Sequence, residues 1–228
     1  MALPKLKEIT WVTTNCYGSL IDHEKGISEA IAKEAAEDGL TVDVNALMQS
    51  FFVEQAKVMA GAYELHAEVM RRAMISAAEE IDWDIEPSRA QFLPDSVTYW
   101  QPFRESNAAM DRLKARYQIG IITNTDDKLL GVSRRYLRTE LDLVVTAQQV
   151  RSYKPDPTHF KECARRIGGK KGWVHIGSDY ETDVAPLIKM KVPVIWVNRD
   201  GEKLDGRKAP DATVKNFRDA AKKLGAGG

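Results

Sequence analysis

The sequence predicts an α/β fold in which a parallel sheet carries a helical block inserted after its first strand. Three observations lead there. Short apolar runs alternate with helical segments over the second half of the chain. A long stretch with helical periodicity separates the first of those runs from the second. Polar and small residues follow several of the runs directly, where open parallel sheets hold their ligands.

The first strand reads over residues 9–14, with Ile9 to Val12 as its apolar part. Residues 26 to about 90 read as helical throughout. Ile27, Ile31 and Ala35 recur at helical spacing, as do Leu47, Phe51, Val58 and Met59, then Val69, Met70, Met74 and Ala77. Pro87 and Pro94 mark the exit from this block. A regular series follows. Helices are expected from Asn107 to Tyr117, Asp127 to Tyr136, Pro157 to Ile167, Glu181 to Met190 and Val214 to Leu224. Strands are expected from Ile119 to Thr123, Leu143 to Val145, Trp173 to Ile176 and Pro193 to Val197. Alternation of this kind builds a parallel sheet covered on both faces. The chain then divides into a core of residues 1–22 and 101–228 and a helical cap of residues 23–100, with Trp100 to Phe103 as the returning hinge.

Composition bounds the function. With 228 residues, 43% of them hydrophobic, the chain can bury a large core. Basic and acidic residues number 33 each, for a formal net charge of zero. That offers no basic face for nucleic acid and no bulk attraction for anions. Two cysteines, Cys16 and Cys163, make neither a disulfide framework nor a zinc spacing, which fits a reducing cytoplasm. The four histidines show no metal spacing and read as surface or packing residues. No apolar run approaches the ~20 residues of a membrane span. The segment Met1 to Lys5 lacks the apolar core of a signal peptide, and Gly225 to Gly228 reads as a frayed tail.

Chemistry concentrates after the strands. Asn15, Tyr17 and Ser19 follow the first; Thr123 and Asn124 follow the second; Ser178, Asp179 and Asp183 follow the fourth. Lys154 sits in a proline-bracketed turn, Tyr153 to Pro157. Parallel strands bring their carboxyl ends to one edge, so these residues should converge. Plainer roles stand beside the functional ones. Lys154 can simply neutralise Asp183. Ser19 and Thr123 can be turn or cap residues. Asp179 can be the charge at a helix N-terminus before Glu181. Cys16 reads as packing.

The stretch from Thr14 to Asp22 resembles the first motif of the haloacid dehalogenase superfamily, in the form used by 2-haloacid dehalogenases. The run from Ile121 to Asp127 resembles the second motif, with Thr123 in place of its usual serine. Tyr153, Lys154 and Pro155 resemble the third, and His175 to Asp183 the fourth. Val194 to Arg199 is similar to a stretch typical of 2-haloacid dehalogenases. The resemblance covers nearly the whole chain and implies a Rossmann-like core, a helical cap and a site between them.

The departures are as informative as the matches. The family's nucleophilic aspartate is Asn15 here, Thr14 replaces a phenylalanine, and Ser19 replaces a threonine. Phosphatases of the superfamily hold Mg²⁺ through two first-motif aspartates, at the positions of Asn15 and Tyr17. Two neutral side chains there suit a hard cation poorly, so no metal and no other cofactor is expected. Dehalogenases of this branch place a halide-binding arginine in the cap. This chain has none between Asp22 and Arg71, and carries Glu54 and Glu64 in that region. An acidic cap suits a cationic leaving group, and the branch includes hydrolases that open the ring of L-azetidine-2-carboxylate.

The resemblance therefore implies a metal-independent hydrolase acting with inversion at C2 of a small 2-substituted carboxylate. Ring-opening C–N hydrolysis by direct water attack leads. Catalytic roles fall to Asn15, Lys154, Asp183 and Ser178. Asn15 orients water or substrate, and Asp183 or Asp179 acts as general base. Tyr17, Ser19, Thr123, Asn124 and Asp179 are assigned to substrate binding, with Lys154, Ser19 and Thr123 holding the substrate carboxylate or the water. One rival is an (S)-2-haloacid dehalogenase whose nucleophile is replaced by Asn15; another is a pseudoenzyme that binds small carboxylates without turnover. The expected partner is a small carboxylate, with no nucleic acid and no membrane; the resemblance also allows a homodimer.

Overall fold

The computed structural model describes residues 3–227. Met1, Ala2 and Gly228, which bear on the two terminal readings, lie outside the described residues. Six strands form one sheet: β1 (Trp11–Thr14), β2 (Gln118–Thr123), β3 (Leu143–Thr146), β4 (Trp173–Gly177), β5 (Val194–Val197) and β6 (Ala212–Val214). Their spatial order is β3-β2-β1-β4-β5-β6, and every pairing is parallel. The sheet is thus the expected α/β, Rossmann-like one. The order reverses direction at β1, so the loop after β1 opens into the crevice where such sheets bind ligands.

Period-two alternation assigns each strand residue to a face. Ile119, Ile121, Val174, Ile176, Ile195 and Val197 bury on one side, with α5 (Ser106–Lys114) and α10 (Phe217–Lys223). Ile122, Val145, Trp173, Val194 and Trp196 bury on the other, with α8 (Thr158–Arg166) and α9 (Ala185–Met190). Both faces are apolar, which is why these strands read as continuous apolar runs.

Between β1 and α5 lie α1 (His23–Glu37), α2 (Val44–Met59), α3 (His66–Glu79) and the short α4 (Phe92–Ser96). Two chain crossings tie this layer to the sheet: the Asp22 amide donates to the Gln101 carbonyl at 2.9 Å, and the Phe103 amide to the Leu20 carbonyl at 2.9 Å. The returning segment around Trp100 is thus hydrogen-bonded to the departing one. Asp22 caps α1 through the Lys25 amide, and Asp43 caps α2 through the Ala46 amide. Gly26 packs flat against the Trp100 indole, and a Cβ there would stand 2.1 Å from the ring.

No side chain of its own segment caps α3. Asp126, just before α6 (Asp127–Ser133), does so from the sheet layer. Its two oxygens accept from the His66 and Ala67 amides at 2.8 and 2.9 Å. The orphan donors of one layer are met by a carboxylate of the other.

The structure corrects three local expectations. Val214 is not helical: it ends β6, paired with Val197, and the last helix starts at Phe217 under an Asn216 cap. A three-residue edge strand carries too little pattern to be read. The helix expected from Glu181 begins as one π-type turn, Tyr180–Val184, before α9. The tail up to Gly227 is not frayed: Ala226 is buried and its amide bonds the Ala221 carbonyl at 2.9 Å. Among the described residues no helix is long and apolar enough to cross a membrane.

Candidate active site

Asn15 is the first residue after β1, and both ends of its amide are held. Its Nδ2 donates to the Tyr17 carbonyl at 2.7 Å, and its Oδ1 accepts from Lys154 Nζ at 3.3 Å. Lys154 is placed by Asn124, whose side chain bonds both the backbone amide (2.7 Å) and the carbonyl (3.1 Å) of Lys154. The ammonium then reaches Asp183 Oδ1 at 2.5 Å and the Ile122 carbonyl at 3.3 Å. An ammonium has three hydrogens, and these three acceptors match them.

Asp183 is equally committed. Its Oδ2 lies 3.2 Å from the Ser178 amide and 3.4 Å from the Asp179 amide. The π-type turn folds Asp183 back on Gly177, where a Cβ would come within 2.4 Å of the Asp183 Cβ. The pair is sealed: the side chains of Lys154 and Asp183 are 1% and 0% exposed. Behind it, the Trp173 indole donates to Thr13 Oγ1 at 2.7 Å, which sits 2.7 Å from His175 Nδ1. Burial, reinforced by the Lys154 charge, pushes His175 well below its ordinary range, so a neutral imidazole backs the pair at 3.9 Å.

A cavity of about 540 Å³ opens beside this cluster. Of the expected site residues, Asn15, Tyr17, Thr123, Asn124, Lys154, Ser178 and Asp179 line it. Two do not. Ser19 is fully buried, with its hydroxyl unpartnered, and stays off the wall. Asp183 is also off the wall, and with both oxygens taken its geometry is that of a positioning group for Lys154, not of a base facing water. Lys154 has no hydrogen left for a substrate carboxylate, which corrects that expected use of it. Asp179 is exposed and caps the following turn through the Thr182 amide at 2.6 Å, the plainer of its two roles. Thr123 Oγ1, by contrast, is buried without a partner on the cavity wall.

The cap contributes a different face from the one its sequence suggested. Glu54 pairs with Lys57 and Glu64 with Arg72, and neither lines the cavity. Phe52, Gln55, Met59, His66 and Met70 do, with His23 at the start of α1. Tyr17, His23, Phe52 and Trp100 stack in tilted and edge-on contacts, with centroids 5.3 to 6.4 Å apart. Sequence reading takes these histidines as surface or packing residues. The position of His23 directly after Asp22, at the end of the first motif, was the available signal. Burial lowers His23 and His66 to about 4, so both are neutral near pH 7. Cys16 is buried, and desolvation pushes its thiol up to about 12, which fits packing and not nucleophilic attack.

Negative charge sits at the cavity's rim. Asp22, Glu24, Asp179, Asp200 and Glu202 line it, and burial together with Asp200 and Asp22 raises the Glu24 carboxyl. The cavity's one arginine, Arg199, donates to the Gly18 and Ser19 carbonyls at 3.1 Å each, pairs with Glu105 at 2.9 Å and lies 3.5 Å over the Phe103 ring. A larger groove of about 970 Å³ runs along α1, α4 and α6 and contains none of the expected site residues.

The fold agrees with comparison to known proteins. Residues 16–190 match the family model of haloacid dehalogenase-like hydrolases. The chain belongs to that family. As a haloacid dehalogenase-like hydrolase it is 31% identical over 108 residues to haloacid dehalogenase-like hydrolase domain-containing protein 3 of Danio rerio. That alignment covers 46% of this chain and 45% of the relative, so the chain matches about half the relative's length. Its fold is that of a defluorinating L-2-haloacid dehalogenase, with 19% identity, a TM-score of 0.81 and 95% of each chain covered. The L-2-haloacid dehalogenase of Xanthobacter autotrophicus with chloropropionic acid covalently bound superposes as well, at 17% identity and a TM-score of 0.81, over 95% of this chain and 98% of that one.

Some members of the superfamily use a divalent cation, and the residues here do not fit one. The Lys154 ammonium fills the place between Asn15 Oδ1 and Asp183 Oδ1. Asn15 and Tyr17 supply no charge at the first motif. Among the described residues, no group of three or more His, Cys, Asp or Glu side chains is arranged to hold a metal.

Proposed function

We propose that this hydrolase acts, without metal and with inversion, at C2 of a small 2-substituted carboxylate, and that its reaction is ring-opening C–N hydrolysis of L-azetidine-2-carboxylate. One observation carries the reading: an amide, Asn15, stands at the nucleophile position, in a cavity whose cations are both spent and whose rim is acidic. An amide oxygen is too weak a nucleophile to form an ester, so water must attack directly. The acidic rim and aromatic wall favour a cationic ring nitrogen over a halide. Asn15 orients the water, and Thr123 Oγ1 offers the unpartnered hydroxyl for the substrate carboxylate. A single displacement inverts C2.

The rival is C–halide hydrolysis of an (S)-2-haloacid with the nucleophile replaced. It draws on the hold of Lys154 on Asn15 Oδ1, where a nucleophilic carboxylate would sit. Incubation in ¹⁸O water with L-azetidine-2-carboxylate and with (S)-2-chloropropionate separates the two. The expected result is labelled amino-hydroxy acid, unchanged protein mass and no halide release from the wild-type chain. Asn15→Asp should lower ring opening at least about tenfold, or about 1.4 kcal/mol in barrier. Strong halide release on Asn15→Asp, with no ring opening by either protein, would establish the rival. Turnover of neither substrate by either protein would leave a carboxylate-binding pseudoenzyme.

A further inference from the structure

We infer that His23 is the base that takes the proton from the attacking water, a role no part of the first-motif match assigns. The inference rests on the direct-water reading above. Such a reaction needs a proton acceptor on the cavity wall, and the other candidates are engaged elsewhere or lie exposed at the rim. Asn15 has no basic group. Asp183 is off the wall and spends both oxygens on Lys154 and two backbone amides. His66 faces the cavity, but its Nδ1 lies 3.0 Å from Thr125 Oγ1 and its Nε2 3.4 Å from Gln55 Nε2. Asp22 and Asp179 cap helical turns, while Glu24, Asp179, Asp200 and Glu202 are exposed at the rim.

His23 remains. Its ring is wedged among Tyr17, Phe52 and Trp100, with Nδ1 buried and unpartnered. It also stands over the loop that carries Asn15. Gly18 adopts φ +80°, and a Cβ there would lie 3.4 Å from His23 Cε1 and 2.8 Å from Ser178 Oγ. The absent side chain is what lets the imidazole and the serine close on the loop from two sides. Desolvation keeps the ring uncharged near pH 7, opposed by the neighbouring Asp22 and Asp179 carboxylates. A neutral imidazole can therefore accept a proton, and those two carboxylates stabilise the imidazolium that results.

The step balances. The water oxygen forms a bond to C2 as the C2–N bond breaks, and that bonding pair goes to nitrogen. The water proton passes to His23. The ring nitrogen, which entered protonated, leaves as a neutral primary amine and takes the proton back from His23. The product is a 2-hydroxy-4-ammonio carboxylate, and His23 is neutral again.

Three variants test the assignment with L-azetidine-2-carboxylate. His23→Phe keeps an aromatic ring against Tyr17, Phe52 and Trp100 but accepts no proton. It should lower kcat by about 10²–10⁴-fold, the range of general-base contributions, while KM stays within about threefold. His23→Gln, which keeps a polar side chain, should lose kcat to a similar extent and guards against misfolding of the first variant. His23→Ala should regain at least about tenfold in kcat when free imidazole is added, a recovery that a packing role would not give. If His23→Phe or His23→Gln retains kcat within a few-fold of wild type, the base assignment is overturned and the ring-opening reading survives. If the wild-type chain opens no ring, both fail together.

Discussion

Replacing Lys154 with methionine should cost the folded protein about 3–5 kcal/mol, because it leaves the buried Asp183 carboxylate without its charged partner. The pair is sealed at 1% and 0% side-chain exposure, so solvent cannot compensate. The two backbone amides on Oδ2 remain but do not cancel the charge. Urea unfolding followed by circular dichroism would show the loss as a lower midpoint with an unchanged slope. Adding Asp183→Asn to Lys154→Met should restore at least half of it, since the second change removes the stranded charge. A loss below about 1 kcal/mol in the single variant would mean that the pair is not the closed unit described above.

Acid should unfold this protein steeply below pH 6.5. Desolvation lowers all four imidazoles from an ordinary value of 6.5: His23 and His66 to about 4, His159 to about 3, and His175 well below. The unfolded chain binds them below 6.5, and the folded chain refuses them until about pH 4 or lower. Stability from these residues is therefore complete above pH 6.5 and is lost as pH falls through that window. Four refused protons give a slope of about 5 kcal/mol per pH unit at its steepest. Urea midpoints between pH 7 and pH 5 would measure it. His159→Phe should flatten the curve by about one proton while leaving stability at pH 7.5 close to wild type. A fall matching fewer than one proton would show that these imidazoles titrate freely in the native state.

The sheet was legible because its strands are buried on both faces. Ile119 to Thr123 and Pro193 to Val197 have little room to be anything else. Convergence of Asn15, Thr123, Asn124, Lys154 and Ser178 on one cavity followed from parallel strand polarity alone. Direction of side chains did not. Asp183 reads in sequence as a free carboxylate after a strand, but the π-type turn and Gly177 fold it inward onto Lys154. Glu54 and Glu64 looked like the charged face of the cap because helical spacing alone does not say which stripe meets the site. His23 was passed over because burial and a missing hydrogen-bond partner are properties of the folded chain, not of residue spacing.

The carboxylate that Asp126 lends to α3 bears on how substrate comes and goes. Swinging the helical layer away from the sheet would pull that carboxylate off two amides and leave helix-start donors bare. Each charge-assisted bond is worth about 1.5–3 kcal/mol, so wide opening would be rare beside the narrow motions of side chains at the rim. Traffic would then pass the gap bordered by Glu24, Asp200 and Glu202, and an arriving cation would meet their field before anything else. Amide hydrogen exchange reads this latch directly. First-turn amides of a helix normally exchange fast, whereas those of His66 and Ala67 should be as slow as mid-helix ones, and fast exchange there would mean that the two layers part freely.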